Sequence, residues 1–213
     1  MDNLPEIETT RKIGDEIFEF NGSSLPMSLL SFWQWSSSDI VGNAMRGIFA
    51  EYVVASSVGM NSGIRTEWDA FDVETPEGIK VEVKSGAYIQ SWEQNKFSSI
   101  QFSIRPTRAW DFKVDKRSSE IIRQADVYVF CLLKHKHQSS INPLNLDQWV
   151  FYVLPTNTLN QSVGAQKTIT LNSLERLNPR KVNYGELHAS IKAAANKSLV
   201  WDAAPRCGSR PTA

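Results

Sequence analysis

Three residues whose types and spacing could do chemistry stand close together: Asp72, Glu82 and Lys84. Between the two acids lies Thr75-Pro76-Glu77-Gly78, which suits a type I turn with Pro second and a left-handed Gly closing it. In that three-residue loop Thr75 faces Ile79 and pairing runs outward, Glu74 opposite Lys80, Asp72 opposite Glu82 and Ala70 opposite Lys84. Side chains alternate along a strand, so these residues share one face. Phe71, Val73, Ile79, Val81 and Val83 share the other, apolar one. Two carboxylates then face each other with Cβ atoms roughly 4.5–5.5 Å apart, which is unfavourable unless a cation sits between them. A two-residue loop would shift the register by one and turn Asp72 into the apolar face. Asp69, the nearest competitor, falls on that apolar face.

The chemistry such a face suits is phosphoryl hydrolysis. Asp72 and Glu82 offer hard oxygen ligands for Mg²⁺, with Mn²⁺ as a substitute and the Val83 carbonyl as a further ligand. Such an ion would relieve the carboxylate repulsion and stabilise charge on a scissile phosphate. Lys84, roughly 6.7 Å along the strand from Glu82, would position or deprotonate the attacking water, or stabilise the pentavalent phosphate. Without a metal the same residues read as a charge ladder, in which Lys80 and Lys84 offset Asp72, Glu74 and Glu82.

The elements that must position these groups follow from patterning. Ser36-Ser37-Ser38-Asp39 offers N-caps to a helix running from Ile40 to Gly59, with an apolar stripe at Ile40, Ala44, Ile48, Tyr52 and Ala55. Glu51 sits in that helix, directly before the hairpin, and would hold a metal-bound water or help with a second ion. Leu25 to Trp35 is expected as a short helix packed on the core, or else as a partner-docking patch. Ile100 to Ile104 alternates like a strand, and a basic segment with Arg105, Arg108, Lys113, Lys116, Arg117 and Trp110 follows it. That segment reads either as a phosphate-contacting loop or as a solvated one. Gln90 and Gln101 are weaker candidates for substrate or water contacts. A short helix is expected over Ser118 to Gln124, and buried strands over Asp126–Leu133 and Gln148–Leu154. An edge strand is expected over Thr168–Leu171 and a C-terminal helix over Tyr184–Ala195. The expected organisation is an N-terminal arm and short helix (1–38), an α/β domain (39–202) and a disordered tail (203–213), the domain being an α/β sandwich with a mixed central sheet flanked by helices.

With Asp72, Glu82-Val83-Lys84 and the preceding Glu51 helix, the chain resembles the PD-(D/E)XK nuclease superfamily, the restriction-endonuclease-like fold, from about Asp39 to Leu154. Phe71 stands at the position of the family motif's Pro, a residue commonly missing in such proteins. The resemblance implies a metal-dependent nuclease acting on DNA, in restriction, defence or repair. The alternative is a catalytically weak or inactive module of the same fold that binds nucleic acid or a protein partner.

Composition bounds the rest. Lys plus Arg and Asp plus Glu are 23 each, so formal net charge is zero and there is no global basic signature. Cys131 and Cys207 lie far apart, which suggests a reducing cytoplasm rather than a disulfide framework. The N-terminal stretch lacks the apolar core of a signal peptide, and no run approaches the ~18 apolar residues of a membrane span. No P-loop, GxSxG elbow or Cys-x-x-Cys occurs, and His135, His137 and His188 form no H-N-H or zinc-hydrolase pattern. A homodimer is the other partnership expected, with Leu29 to Trp35 as its candidate surface.

Overall fold

The computed structural model describes residues 7–65, 70–108, 110–111, 116–117 and 120–202. The expected tail, Asp69 and Lys113 fall outside them. In chain order, strands β1 (Ile17–Phe20) and β2 (Ser23–Ser28) precede helices α1 (Leu29–Ser37) and α2 (Asn43–Ser57). Strands β3 (Val73–Glu74), β4 (Lys80–Ala87), β5 (Gln101–Ser103), β6 (Trp110–Asp111), β7 (Lys116–Arg117), β8 (Val127–Leu133) and β9 (Trp149–Pro155) follow. The chain closes through α3 (Thr156–Val163), β10 (Thr168–Thr170), α4 (Leu171–Arg176), β11 (Arg180–Val182) and α5 (Leu187–Asp202).

A five-stranded sheet in the order β11-β9-β8-β4-β3 carries the molecule. It is mixed because β4 and β8 run parallel while every other neighbour is antiparallel. Strand β8 is buried at all seven positions, which is why its sequence is continuously apolar rather than alternating. Val127, Val129, Cys131 and Leu133 face a layer built by α2 and α5, with Val53, Val54, Leu187 and Ile191. Tyr128, Phe130 and Leu132 face the other layer, with Phe102 and Ile104 beside β5, Ile169 on β10, and Leu159 and Leu174 on α3 and α4. The fold is the expected one, a mixed central sheet flanked by helices.

Local expectations fare unevenly. Helix α2 begins at Asn43 behind an N-cap Gly42, later than the serines predict; the Asp39 carboxylate accepts the Gly42 N–H at 2.8 Å and forms a turn ahead of the helix. Its buried face is Arg46, Ala50, Val53 and Val54, while Ile48 and Tyr52 of the expected stripe are exposed. Both faces of α2 are apolar, so periodicity alone could not choose between them. No helix is seen in the described part of 118–124. Ile122 instead bridges Thr107, and buried Arg123 donates to Ile104 O at 2.8 Å, Asn160 Oδ1 at 2.6 Å and Gln166 O at 3.1 Å, which holds the chain extended. The Leu25–Trp35 segment does not pack on the core: residues 23–28 are strand, and α1 has no buried residue. Strand β10 pairs with β5 in a separate ribbon rather than at the edge of the main sheet.

Arg46 ties α2 to the end of β4. Fully buried, it donates to Gln90 Oε1 at 2.9 Å, Asn43 Oδ1 at 2.8 Å and the Val41 carbonyl at 2.6 Å. Arg46→Met should cost roughly 2–4 kcal/mol, because several buried polar groups lose their partner at once. Urea unfolding of the two proteins measures it, and an unchanged midpoint would show that water replaces the guanidinium without loss.

Candidate active site

The hairpin turn forms as its residues dictate. Gly78 N–H donates to Thr75 O at 2.9 Å, Thr75 N–H to Ile79 O at 3.0 Å, and Gly78 adopts φ +78°. Val73 pairs with Val81 and Glu74 with Lys80, the register read from the turn. A Cβ at Gly78 would have open space around it, with Glu74 Oε1 at 3.9 Å the nearest atom, so substitution costs backbone strain alone. Gly78→Ala should therefore destabilise by about 1–2 kcal/mol. Gly47→Ala, inside α2 with nothing within 4 Å of its Cβ, should stabilise by about 0.5–1 kcal/mol. Thermal melts of the pair test the opposite signs, and shifts in the same direction would refute the turn argument.

Past Val73 the ladder ends and the chain bends. Phe71 and Val73 are two apart, yet Val73 packs in the layer of α2 and Phe71 packs against the opposite one. Asp72 N–H still donates to Val81 O at 3.0 Å, and the Asp72 carboxylate accepts the Val83 N–H at 2.7 Å. By the Val73–Val81 register, the carbonyl of residue 71 would be the partner of that N–H; the Asp72 side chain has taken its place. The acid is thus held against the edge of β4. The Val83 carbonyl points to the same edge, because the N–H and C=O of one strand residue lie on the same side.

On β4 itself, Lys84 Nζ lies 2.5 Å from Glu82 Oε1, both side chains about a quarter exposed or less. Glu82 stands beside Tyr128 and Lys84 beside Phe130 across the parallel pairing, so apolar rings wall one flank. Glu51 comes in on α2, gripped by Arg65, whose Nε reaches Oε2 at 2.5 Å and whose Nη2 reaches Oε1 at 3.3 Å. Electrostatics shows that these groups sense each other. Burial pushes the Asp72 carboxyl up to about 6; Glu82 adds to the rise and Glu51 adds a little more, while Lys84 and the Val83 N–H oppose it. Burial also raises the Tyr128 phenol, with Glu82 and Asp72 adding to it, and the Cys131 thiol, with Asp72 and Glu51 adding to it.

Of the expected site residues, Asp72 is tied to the Val83 N–H and Lys84 to Glu82, and Asp72 senses the charges of Glu82, Lys84 and, least, Glu51. The other expected substrate contacts are employed elsewhere or sit apart. Gln90 is buried, its amide oxygen on Arg46 and its nitrogen donating to Ala87 O at 2.9 Å. Gln101 Nε2 donates to Thr168 Oγ1 at 2.7 Å. Arg105 and Arg108 are exposed on the segment after β5. Two contributors escaped sequence reading, Arg65 and Tyr128. The signal for Arg65 was a lone cation between the acidic helix and the hairpin; Tyr128 was hidden in an apolar run. His135 and His137 stack edge to face 5.6 Å apart, with His135 on Ser140.

Among the described residues no three His, Cys, Asp or Glu side chains group closely enough to cage a metal by themselves. Mg²⁺ does not need such a cage, since it keeps several waters and takes one or two carboxylates. Asp72 and Glu82, with the Val83 carbonyl at the open strand edge, are a donor set of that kind.

Asp72 on the bent strand, the Glu82-Val83-Lys84 run of β4 and the helix-borne Glu51 are the acids and the lysine that the sequence singles out. The comparison with known families agrees: the model described as bacteriophage T4 endonuclease IV matches residues 23–173, well over half of the chain and all of these groups. No curated protein matches the chain. This chain, with its acids and its lysine inside the matched span, belongs to the bacteriophage T4 endonuclease IV family and is a nuclease.

Proposed function

We propose that the protein is a Mg²⁺-dependent endonuclease of the PD-(D/E)XK type that hydrolyses phosphodiester bonds in DNA. The observation carrying this reading is the setting of Asp72, whose carboxyl is pushed up to about 6 by burial first and by Glu82 second while Lys84 opposes the rise, with Lys84 itself paired to Glu82. DNA as the polymer rests on the family. The setting is a reducing cytoplasm, in which buried Cys131 is a free thiol, and the role is restriction, defence or repair. Among the described residues no helix is long and apolar enough to cross a membrane.

Asp72, Glu82 and the Val83 carbonyl would hold the ion, which supplies Lewis-acid stabilisation of charge on the phosphate oxygens. Lys84, paired with Glu82, would orient the attacking water and donate to a non-bridging phosphate oxygen as negative charge grows there. Glu82 keeps the ammonium in position, and the Val83 N–H fixes the Asp72 carboxylate. Arg65 holds Glu51 at the rim, where its carboxylate would order a further water.

A second reading is favoured by one observation: Glu51 is bound by Arg65 and Glu82 by Lys84, so the charges are largely neutralised within the chain. On that reading the fold binds nucleic acid or a protein and does not cut. Plasmid and linear DNA incubated with the purified protein in Mg²⁺, in Mn²⁺ and in EDTA decides between them. Cutting in Mg²⁺ that EDTA stops supports the enzyme. DNA bound but left intact with every divalent ion tried supports the binding module.

A further inference from the structure

We propose that residues 17–37 are a dimerisation arm whose apolar surface is covered by the same arm of a second copy of this chain. Strands β1 and β2 form a two-stranded sheet of their own, separate from the five-stranded sheet. None of the residues of β1, β2 or α1 is buried. A lone two-stranded hairpin is at best marginally stable in water, and so is an isolated helix of nine residues. Yet Phe18, Phe20, Leu30, Phe32, Trp33 and Trp35 stand on it between 37% and 84% exposed. Taking a fully exposed side chain of this size as about 200–250 Å², those fractions amount to roughly 650–800 Å². That exceeds the largest apolar patch of a typical monomer and matches what one partner contributes to a standard protein interface.

The chemistry of the arm selects the occupant. From Ile17 to Ser37 its only charged residue is Glu19, and it has no Lys or Arg. An anionic membrane or a nucleic acid would find no cation there. Depleted charge with enriched aromatics is instead the make-up of a protein interface core. Two copies meet without net repulsion, because the formal charge of the chain is zero. The outer edges of the two-stranded sheet are also self-complementary, since antiparallel edges pair about a two-fold axis.

Sedimentation equilibrium of the full chain, run from nanomolar to micromolar concentration, tests the proposal independently of the nuclease reading. The wild type should sediment at twice the 24.0 kDa chain mass. A variant with Phe20→Asp and Trp35→Asp should dissociate at least a hundredfold more readily while keeping the circular dichroism of the sheet domain. Phe32→Asp serves as a second variant should the first fail to fold. A wild type that stays at one chain mass throughout overturns the proposal, as does a dimer that both variants keep. Binding of the arm to anionic vesicles or to DNA by a monomeric wild type, lost in the variants, overturns it in favour of those occupants.

Discussion

Lys84→Met should cleave DNA at least a hundredfold more slowly than the parent chain while folding and binding DNA much as before. The expectation follows from position. Lys84 Nζ is the cation set against Glu82, on the face where Asp72 is held by the Val83 N–H. Removing one donor that stabilises developing charge in a reaction of this kind costs about 2.7–4 kcal/mol in the barrier, or 10²–10³ in rate. The methylene stem of Lys84 packs near Phe130 across the pairing and is retained by Met, so the loss is chemical rather than structural. Single-turnover cleavage of a labelled DNA in Mg²⁺, beside a filter-binding measurement in EDTA, separates chemistry from binding. Equal cleavage rates would leave Lys84 a rung of a charge ladder and remove the catalytic reading of Glu-x-Lys.

Asp72→Asn should make the metal-free protein more stable at pH 8 and leave it without metal-dependent cutting. The carboxyl titrates near 6 in the folded chain, against about 3.9 unfolded. A raised folded pKa means that protonation favours the native state. Its contribution is therefore complete below about pH 4 and is lost as pH climbs through 6. Above that, the folded protein carries an ionised acid that it holds less well than water does, a penalty of about 2–3 kcal/mol. Asn keeps an oxygen to accept the Val83 N–H and carries no charge. In EDTA its melting temperature should exceed that of the wild type by several degrees at pH 8, and the gap should shrink as pH falls below 6 and close below about pH 4. Added Mg²⁺ should stabilise the wild type and not the variant. Parallel pH profiles for the two proteins would show that the buried charge of Asp72, desolvated and set near Glu82, does not shape stability, and the argument for a cation beside it would lose its energetic support.

Taken together, these expectations separate what is structural in the site from what is chemical. Gly78 and Arg46 build it, one by turning the hairpin and the other by clamping α2 to the end of β4. Glu77, at the hairpin tip, adds a tie to α5 through Lys192 at 2.9 Å and His188 at 3.2 Å, and these partners pull its carboxyl down to about 2. Such an exposed anchor steadies the turn without touching the acids.

Much of this was local and so legible in the chain alone. Pro76 and Gly78 specify a turn, the turn specifies a register, and the register sets Glu74 against Lys80 and Val73 against Val81. Continuous apolar runs marked β8 and β9 because a strand buried on both faces has no polar side to show. Three things depended on contacts distant in sequence. Which face of α2 is buried was decided by the sheet it met, since Ile48 and Tyr52 are as apolar as Val53 and Val54. The bend at Asp72 arose because the Val83 N–H donates to the Asp72 side chain in place of a strand carbonyl, which no period-two pattern encodes. Arg65 reached Glu51 across fourteen residues of chain, a pairing visible only once the helix and the loop behind it lie side by side. The sequence by itself determined the hairpin turn and its first two pairs, Glu74 with Lys80 and Val73 with Val81, because turn chemistry and alternation act over a few residues; the expected pairs of Asp72 with Glu82 and Ala70 with Lys84 are not part of the ladder, which ends at the bend. Only the tertiary structure decided that Glu51 is held by Arg65 and that Gln90 is spent on buried Arg46, because both outcomes rest on how α2 packs against the loop behind it and the end of β4.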